Sequence, residues 1–123
     1  MVATSFAIAL MAFYVLQFGV ALLAWYDAEL RTPGQADAMV AWAVCAALLL
    51  PALLLDGRWR ALPLVAATVA GALTPVLLSR DLLGMLGIPD VWVGQALTLH
   101  VVFPLCLGIP ATLAALATPN PDV

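Results

Sequence analysis

Residues 91–117 read VWVGQALTLHVVFPLCLGIPATLAALA, a run that contains no Asp, Glu, Lys or Arg. A helix rises about 1.5 Å per residue, so roughly 20 apolar residues suffice to cross a bilayer core about 30 Å thick. Three more stretches of this kind lie at residues 61–79, 38–55 and 4–26. The sequence therefore predicts an all-α integral membrane protein with four transmembrane helices in an antiparallel up-down bundle.

The composition supports the same class of protein. Hydrophobic residues make up 66% of the chain and charged residues 9%, whereas about 25% of an ordinary soluble domain is charged. The net charge is −3 and no basic cluster occurs, which argues against a nucleic-acid partner. We expect one membrane domain over residues 1–123 that contacts the lipid bilayer.

The first apolar stretch is interpreted as a retained span and not as a secretory signal. It lacks a basic segment in front of it. Its apolar run of more than 20 residues also exceeds the usual signal core of about 7 to 15 residues.

The connectors predict further local features. Asp37 and Asp90 stand where the N-caps of helices two and four are expected. The apolar segment 82–88 is too short to span and is predicted to lie in the membrane interface, or else to contact a partner or re-enter the bilayer. Pro104 and Pro110 predict a kink or a break in helix four.

The arginines carry the orientation signal. Arg58 and Arg60 lie on the side of both termini, and Arg31 and Arg80 on the other side. The close pair, together with the terminal amine, favours cytoplasmic termini. The lysine-free composition, rich in alanine, leucine and proline, indicates a prokaryotic source and hence the cytoplasmic (inner) membrane.

Small residues four positions apart predict close helix packing, because such pairs let backbones approach each other in lipid. The candidate pairs are Ala43/Ala47 in helix two and Ala66/Ala70 and Ala67/Gly71 in helix three.

Four polar side chains are predicted to share one layer inside the membrane. Counted at about 1.5 Å per residue, they lie about 12 to 16 Å below the same side of the bundle. A polar group in hydrocarbon must find a partner or cost several kcal/mol. One interpretation is an internal polar clasp that fixes helix register. The four residues are Tyr14, Gln17, Thr68 and His100.

The single histidine also suggests a cofactor ligand. Neutral imidazole binds haem iron axially, and a chlorophyll-type magnesium is a similar target. Ala96 and Leu107 lie on the helical face of His100 and leave room for a planar macrocycle. A hydrogen bond from His100 to a partner subunit is the third alternative. Bound lipid is expected in each case.

A second polar face of helix four lies roughly opposite His100 on a helical wheel. It contains Gln95, Thr98 and Cys106, which are candidates for contact with other integral membrane subunits. The two cysteines, Cys45 and Cys106, are predicted to lie at different depths, about 12 Å apart, and to remain unpaired.

These features favour a non-catalytic accessory subunit of a larger membrane complex of energy-converting or photosynthetic type. The span regions contain no acidic or basic residue besides His100, and no catalytic motif such as GxSxG or HExxH occurs. Two alternatives remain. One is a haem- or chlorophyll-binding subunit that uses His100, and the other is a small homodimeric transporter or channel for a neutral or lipophilic substrate.

Overall fold

The computed structural model describes residues 2–26, 33–55, 57–77 and 93–117. Its four long helices are α1 (Val2–Tyr26), α2 (Pro33–Leu54), α3 (Ala61–Leu77) and α4 (Val93–Ala117). One turn of 3₁₀ helix, Gly57–Arg60, precedes α3. The predicted interfacial segment 82–88 and the predicted N-cap Asp90 lie outside the described residues.

The helices form an antiparallel bundle arranged as a ring. Each helix packs against its neighbour along the chain, and α4 closes the ring by packing against α1. All four are long and apolar enough to cross a membrane. The prediction of a multi-pass integral membrane protein built as a four-helix bundle is thereby confirmed.

The start of α2 differs from the prediction. The helix begins at Pro33, so Asp37 lies one turn inside it, with its side chain exposed, and does not form the N-cap. Proline suits the first turn because its fixed φ is helical and its missing N–H would have no partner there. The Pro33-Gly34 pair therefore begins a helix in this chain, although such a pair usually indicates a turn.

α4 runs without a break through Pro104 and Pro110. The predicted break is therefore not present, and a bend at these prolines stays a prediction. Proline inside a membrane helix is tolerated where neighbouring helices pack around the freed carbonyl, and the side chain of Pro104 is fully buried in the bundle.

The link between α2 and α3 is tight. Leu55 N–H donates a 2.8 Å hydrogen bond to the Pro51 carbonyl at the end of α2. Gly57 then adopts a φ of 69°, a left-handed conformation that glycine reaches without steric cost. The chain reverses direction at this glycine and enters α3 after a single 3₁₀ turn.

The interior of the bundle is narrow because small side chains line most of it. Alanines are buried on all four helices, and larger buried side chains occupy the middle. Many large apolar residues, such as Leu16 and Leu23, point outward, as expected when the surroundings are lipid. The largest fully buried side chains are Trp42, Tyr14, Leu10, Leu49, Leu64, Pro75, Pro104 and Cys45.

Candidate functional site

The side chain of Tyr14 crosses the centre of the bundle. Its hydroxyl donates a 2.5 Å hydrogen bond to the main-chain carbonyl of Ala67 on α3. Because α1 and α3 are not neighbours in the ring of helices, this bond spans the diagonal. A Cβ at position 71 would overlap the Tyr14 ring. Gly71 therefore provides the space that the ring occupies.

Aromatic rings cluster around Tyr14, from the buried Trp42 to the exposed Phe103. The ring centroids of Tyr14 and Trp42 are 5.8 Å apart, and those of Phe13 and Trp42 are 5.9 Å apart. Phe13 also stacks on Phe103 with a centroid separation of 5.0 Å. These contacts join α1, α2 and α4. They leave the buried Nε1–H of Trp42 without an acceptor among the described residues.

Thr68 forms the second close approach inside the bundle. Its hydroxyl donates a 2.6 Å hydrogen bond to the carbonyl of Leu64, one turn earlier on α3. Its side chain packs directly over Gly108 on α4, where a Cβ would overlap it. The Thr68 hydroxyl is therefore hydrogen-bonded within its own helix, and its side chain lies where α3 and α4 approach each other closely.

Gln17 and His100 lie at the seam between α1 and α4. Phe13 and Phe103 fix the register of these two antiparallel helices. One turn further along α1 is Gln17, and one turn back along α4 is His100. Both side chains are half-buried. The structure thus brings these two residues to the same level, at the edge of the bundle.

The four predicted layer residues do not share a single layer. Thr68 packs at the level of Gly108, which is eight residues, or about 12 Å, along α4 from His100. The depth count assumed that the helices end in one plane. However, the described part of α3 reaches nine residues beyond Thr68, whereas the described part of α4 reaches fifteen residues before Gly108. The difference of six residues corresponds to about 9 Å along the bundle.

The predicted second face of α4 lies on the outside of the bundle. Gln95, Thr98 and Cys106 are all exposed. The opposite side of α4 is buried at Pro104, Gly108 and two alanines further on. These three side chains are therefore available to lipid or to another protein.

The predicted packing residues divide into inward and outward sets. Ala67 and Gly71 are buried and receive Tyr14, and Ala70 is half-buried. Ala66 is exposed. Ala43 and Ala47 are also exposed, and they line an apolar groove of about 290 Å³ between α1 and α2. The Ala43/Ala47 pair therefore faces the groove beside α1 and does not pack in the interior of the bundle.

The two cysteines occupy different environments. Cys45 is buried, and its Sγ lies 3.7 Å from the Thr74 hydroxyl on α3. Cys106 is exposed on the outer face of α4. Neither forms a disulfide.

A cofactor at His100 stays a prediction. Its half-buried position at the α1–α4 seam leaves one side open to the surroundings of the bundle. Within residues 2–26, 33–55, 57–77 and 93–117, no three His, Cys, Asp or Glu side chains gather to hold a metal ion. A macrocycle at this position would therefore depend on one histidine of this chain.

Arg60 has a role that the sequence analysis did not find. Its Nε donates a 2.8 Å hydrogen bond to the Ala52 carbonyl at the end of α2. Its Nη2 donates a 2.6 Å hydrogen bond to the Thr4 hydroxyl at the start of α1. One guanidinium thus ties two helix ends together. Neither partner stands out in sequence, because one is a backbone carbonyl and the other is 56 positions away.

The fold and the interior together define the class of this protein, which is a small multi-pass membrane protein with a packed four-helix bundle. Comparison with models of protein families, with curated proteins and with solved structures finds no match to this chain.

Proposed function

We propose that this protein is a non-catalytic accessory subunit of a larger membrane complex, such as an energy-converting or photosynthetic one. The observation that carries the proposal is the position of Gln95 and Cys106 on the outer face of α4. Lipid chains offer no hydrogen-bond partner to such side chains. A neighbouring subunit supplies partners, and interfaces in membranes use polar side chains for this purpose.

The filled interior favours a structural role for this chain and argues against a transport path through the bundle. Tyr14 and Trp42 occupy the centre of the bundle, and the half-buried Phe13 packs against both. The hydrogen bond from Tyr14 to α3 holds this arrangement across the diagonal. A path for a substrate through one copy of the chain would require these rings to move apart. Other subunits would therefore contact the outer surface of the bundle and not its interior.

Photocrosslinking from the outer face of α4 tests the proposal. The variant Cys106→p-benzoylphenylalanine carries the reactive group on that face, and Val69→p-benzoylphenylalanine is the matched control on the exposed side of α3. After irradiation of native membranes, we expect position 106 to crosslink to one or two defined larger membrane subunits. We expect position 69 to crosslink to lipid.

A native gel of mildly solubilised membranes supplies the second readout. Mass spectrometry of the band that contains this chain should find the same subunits that crosslinking captures. A small band that contains this chain alone, with crosslinks only between two copies, would contradict the accessory role and favour a homodimeric transporter. A haem- or chlorophyll-type absorbance that disappears in His100→Leu would favour the pigment-binding alternative.

A further inference from the structure

A groove lined by one charged side chain and several apolar ones lies at the end of the bundle where α2 connects to α3. It has a volume of about 280 Å³. The 3₁₀ turn and the first residues of α3 form one wall, and the C-terminal end of α4 forms the other. The lining residues are Arg58, Trp59, Ala61, Leu62 and Leu116.

The two arginines of this turn differ in what they contact. Arg60 is half-buried and donates hydrogen bonds to Thr4 and Ala52. Arg58 is exposed and lines the groove, and it forms no hydrogen bond or ion pair with the described residues. A guanidinium keeps its charge at any physiological pH and offers five donors in a planar fork. Arg58 therefore places a positive charge at the edge of this groove.

The rest of the groove is apolar and faces outward. Leu62 is 66% exposed and Leu116 is 49% exposed. Trp59 is 63% exposed beside them, and tryptophan is enriched at the level of the lipid headgroups. This turn forms the beginning of the candidate membrane span Gly57–Leu77. The charge of Arg58 thus lies at the interface, and the leucines continue into the span.

We propose that this groove binds one anionic phospholipid, with its phosphate on the Arg58 guanidinium and an acyl chain along Leu62 and Leu116. The positive charge of Arg58 matches the negative phosphate of such a lipid, and the apolar wall of the groove matches its acyl chain. Guanidinium groups form paired hydrogen bonds to phosphate oxygens, and the apolar wall suits a hydrocarbon chain. A free phosphate ion would use the arginine but leave the leucines without a role.

Native mass spectrometry of the full-length protein in detergent tests the site. The protein is titrated with dioleoylphosphatidylglycerol and, separately, with dioleoylphosphatidylcholine. We expect the anionic lipid to bind several-fold more tightly. A basic residue at a membrane surface strengthens binding of anionic lipid by about fivefold, so Arg58→Gln should weaken phosphatidylglycerol binding by about that factor and leave phosphatidylcholine binding unchanged.

Matched variants separate this site from general charge effects. Arg80→Gln removes one positive charge from the opposite connector and should leave lipid binding unchanged. Arg58→Lys keeps the charge and should retain most of the affinity. Inorganic phosphate at millimolar concentration should fail to displace the lipid.

Four results would overturn the proposal. They are equal binding of the two lipids, equal losses in Arg58→Gln and Arg80→Gln, full displacement by inorganic phosphate, and unchanged lipid binding in Arg58→Gln. In the last case a lowered melting temperature would show that Arg58 instead supports the nearby C-terminal end of α4. Crosslinking of α4 to other subunits does not depend on Arg58, so failure here leaves the proposed function untouched.

Discussion

The hydroxyl of Tyr14 donates a 2.5 Å hydrogen bond to the carbonyl of Ala67, joining α1 and α3 across the diagonal of the bundle. Diagonal helices are too far apart for their backbones to touch, so a long side chain must bridge them. Tyrosine does so with an apolar ring for packing and a hydroxyl that reaches an acceptor. Gly71 makes room for the ring.

Tyr14→Phe should destabilise the bundle modestly. The variant keeps the ring and removes one buried hydrogen bond, which is worth about 0.5–1.5 kcal/mol. Unfolding in mixed micelles of dodecyl maltoside and sodium dodecyl sulfate, followed by circular dichroism, measures the change. Tyr26→Phe is the matched control, because Tyr26 is 76% exposed. Equal effects of the two variants would show that the hydroxyl of Tyr14 contributes nothing.

Gly71→Ala should destabilise the bundle, although it adds only one methyl group. The new Cβ overlaps the ring of Tyr14, and overpacking of this kind costs about 1–3 kcal/mol. Gly19→Ala is the control, because a Cβ there meets nothing within 4 Å and alanine is the better helix former. Combining Gly71→Ala with Tyr14→Leu should restore part of the loss. A neutral Gly71→Ala would show that the ring does not lie against this helix.

Arg60→Gln should loosen the end of the bundle that carries the α2–α3 link. The variant loses the hydrogen bonds to Ala52 and Thr4, and bonds from a charged donor are worth about 1.5–3 kcal/mol each. Arg58→Gln makes the same change in charge on an exposed residue and should alter stability in lipid-free micelles by less than about 0.5 kcal/mol. The same unfolding assay compares them. Similar losses in both variants would count against the ties to Thr4 and Ala52.

The two cysteines should react differently with an apolar maleimide in the folded, detergent-solubilised protein. Cys106 is exposed and should be labelled, whereas Cys45 is buried against Thr74 and should be protected. Mass spectrometry should therefore find one label on the folded chain and two after denaturation. Cys106→Ala should abolish labelling of the folded protein. Rapid labelling of Cys45 would mean that the α2–α3 contact opens readily.

The polar residues show how much of the site can be predicted from the sequence. Tyr14 and Thr68 were singled out by their chemistry, since polar groups in hydrocarbon need partners. Their acceptors, Ala67 and Leu64, are backbone carbonyls, which carry no signature in sequence. Thr68 and His100 do not share a layer, because Thr68 packs against Gly108, and the relative height of α3 and α4 depends on how the helices pack.

The outward position of Ala43 and Ala47 has a related cause. Spacing four places two small residues on one face of a helix, but it does not say which neighbour that face meets. In α2 the face that packs inward carries Trp42, Cys45 and Leu49. The larger side chains of α2 are buried in the interior, and the two alanines line the groove beside α1.

The sequence by itself determined the number of spans, their approximate limits and their antiparallel order. In lipid, every backbone polar group must be paired within its segment, so a long apolar run can only be a helix. Which side of each helix turns inward was decided by the tertiary structure alone. Apolar residues cover all sides of these helices because lipid lies outside them, and hydrophobicity therefore cannot mark the inner face. Close packing does so instead, through the fit of Tyr14 over Gly71 and of Thr68 over Gly108.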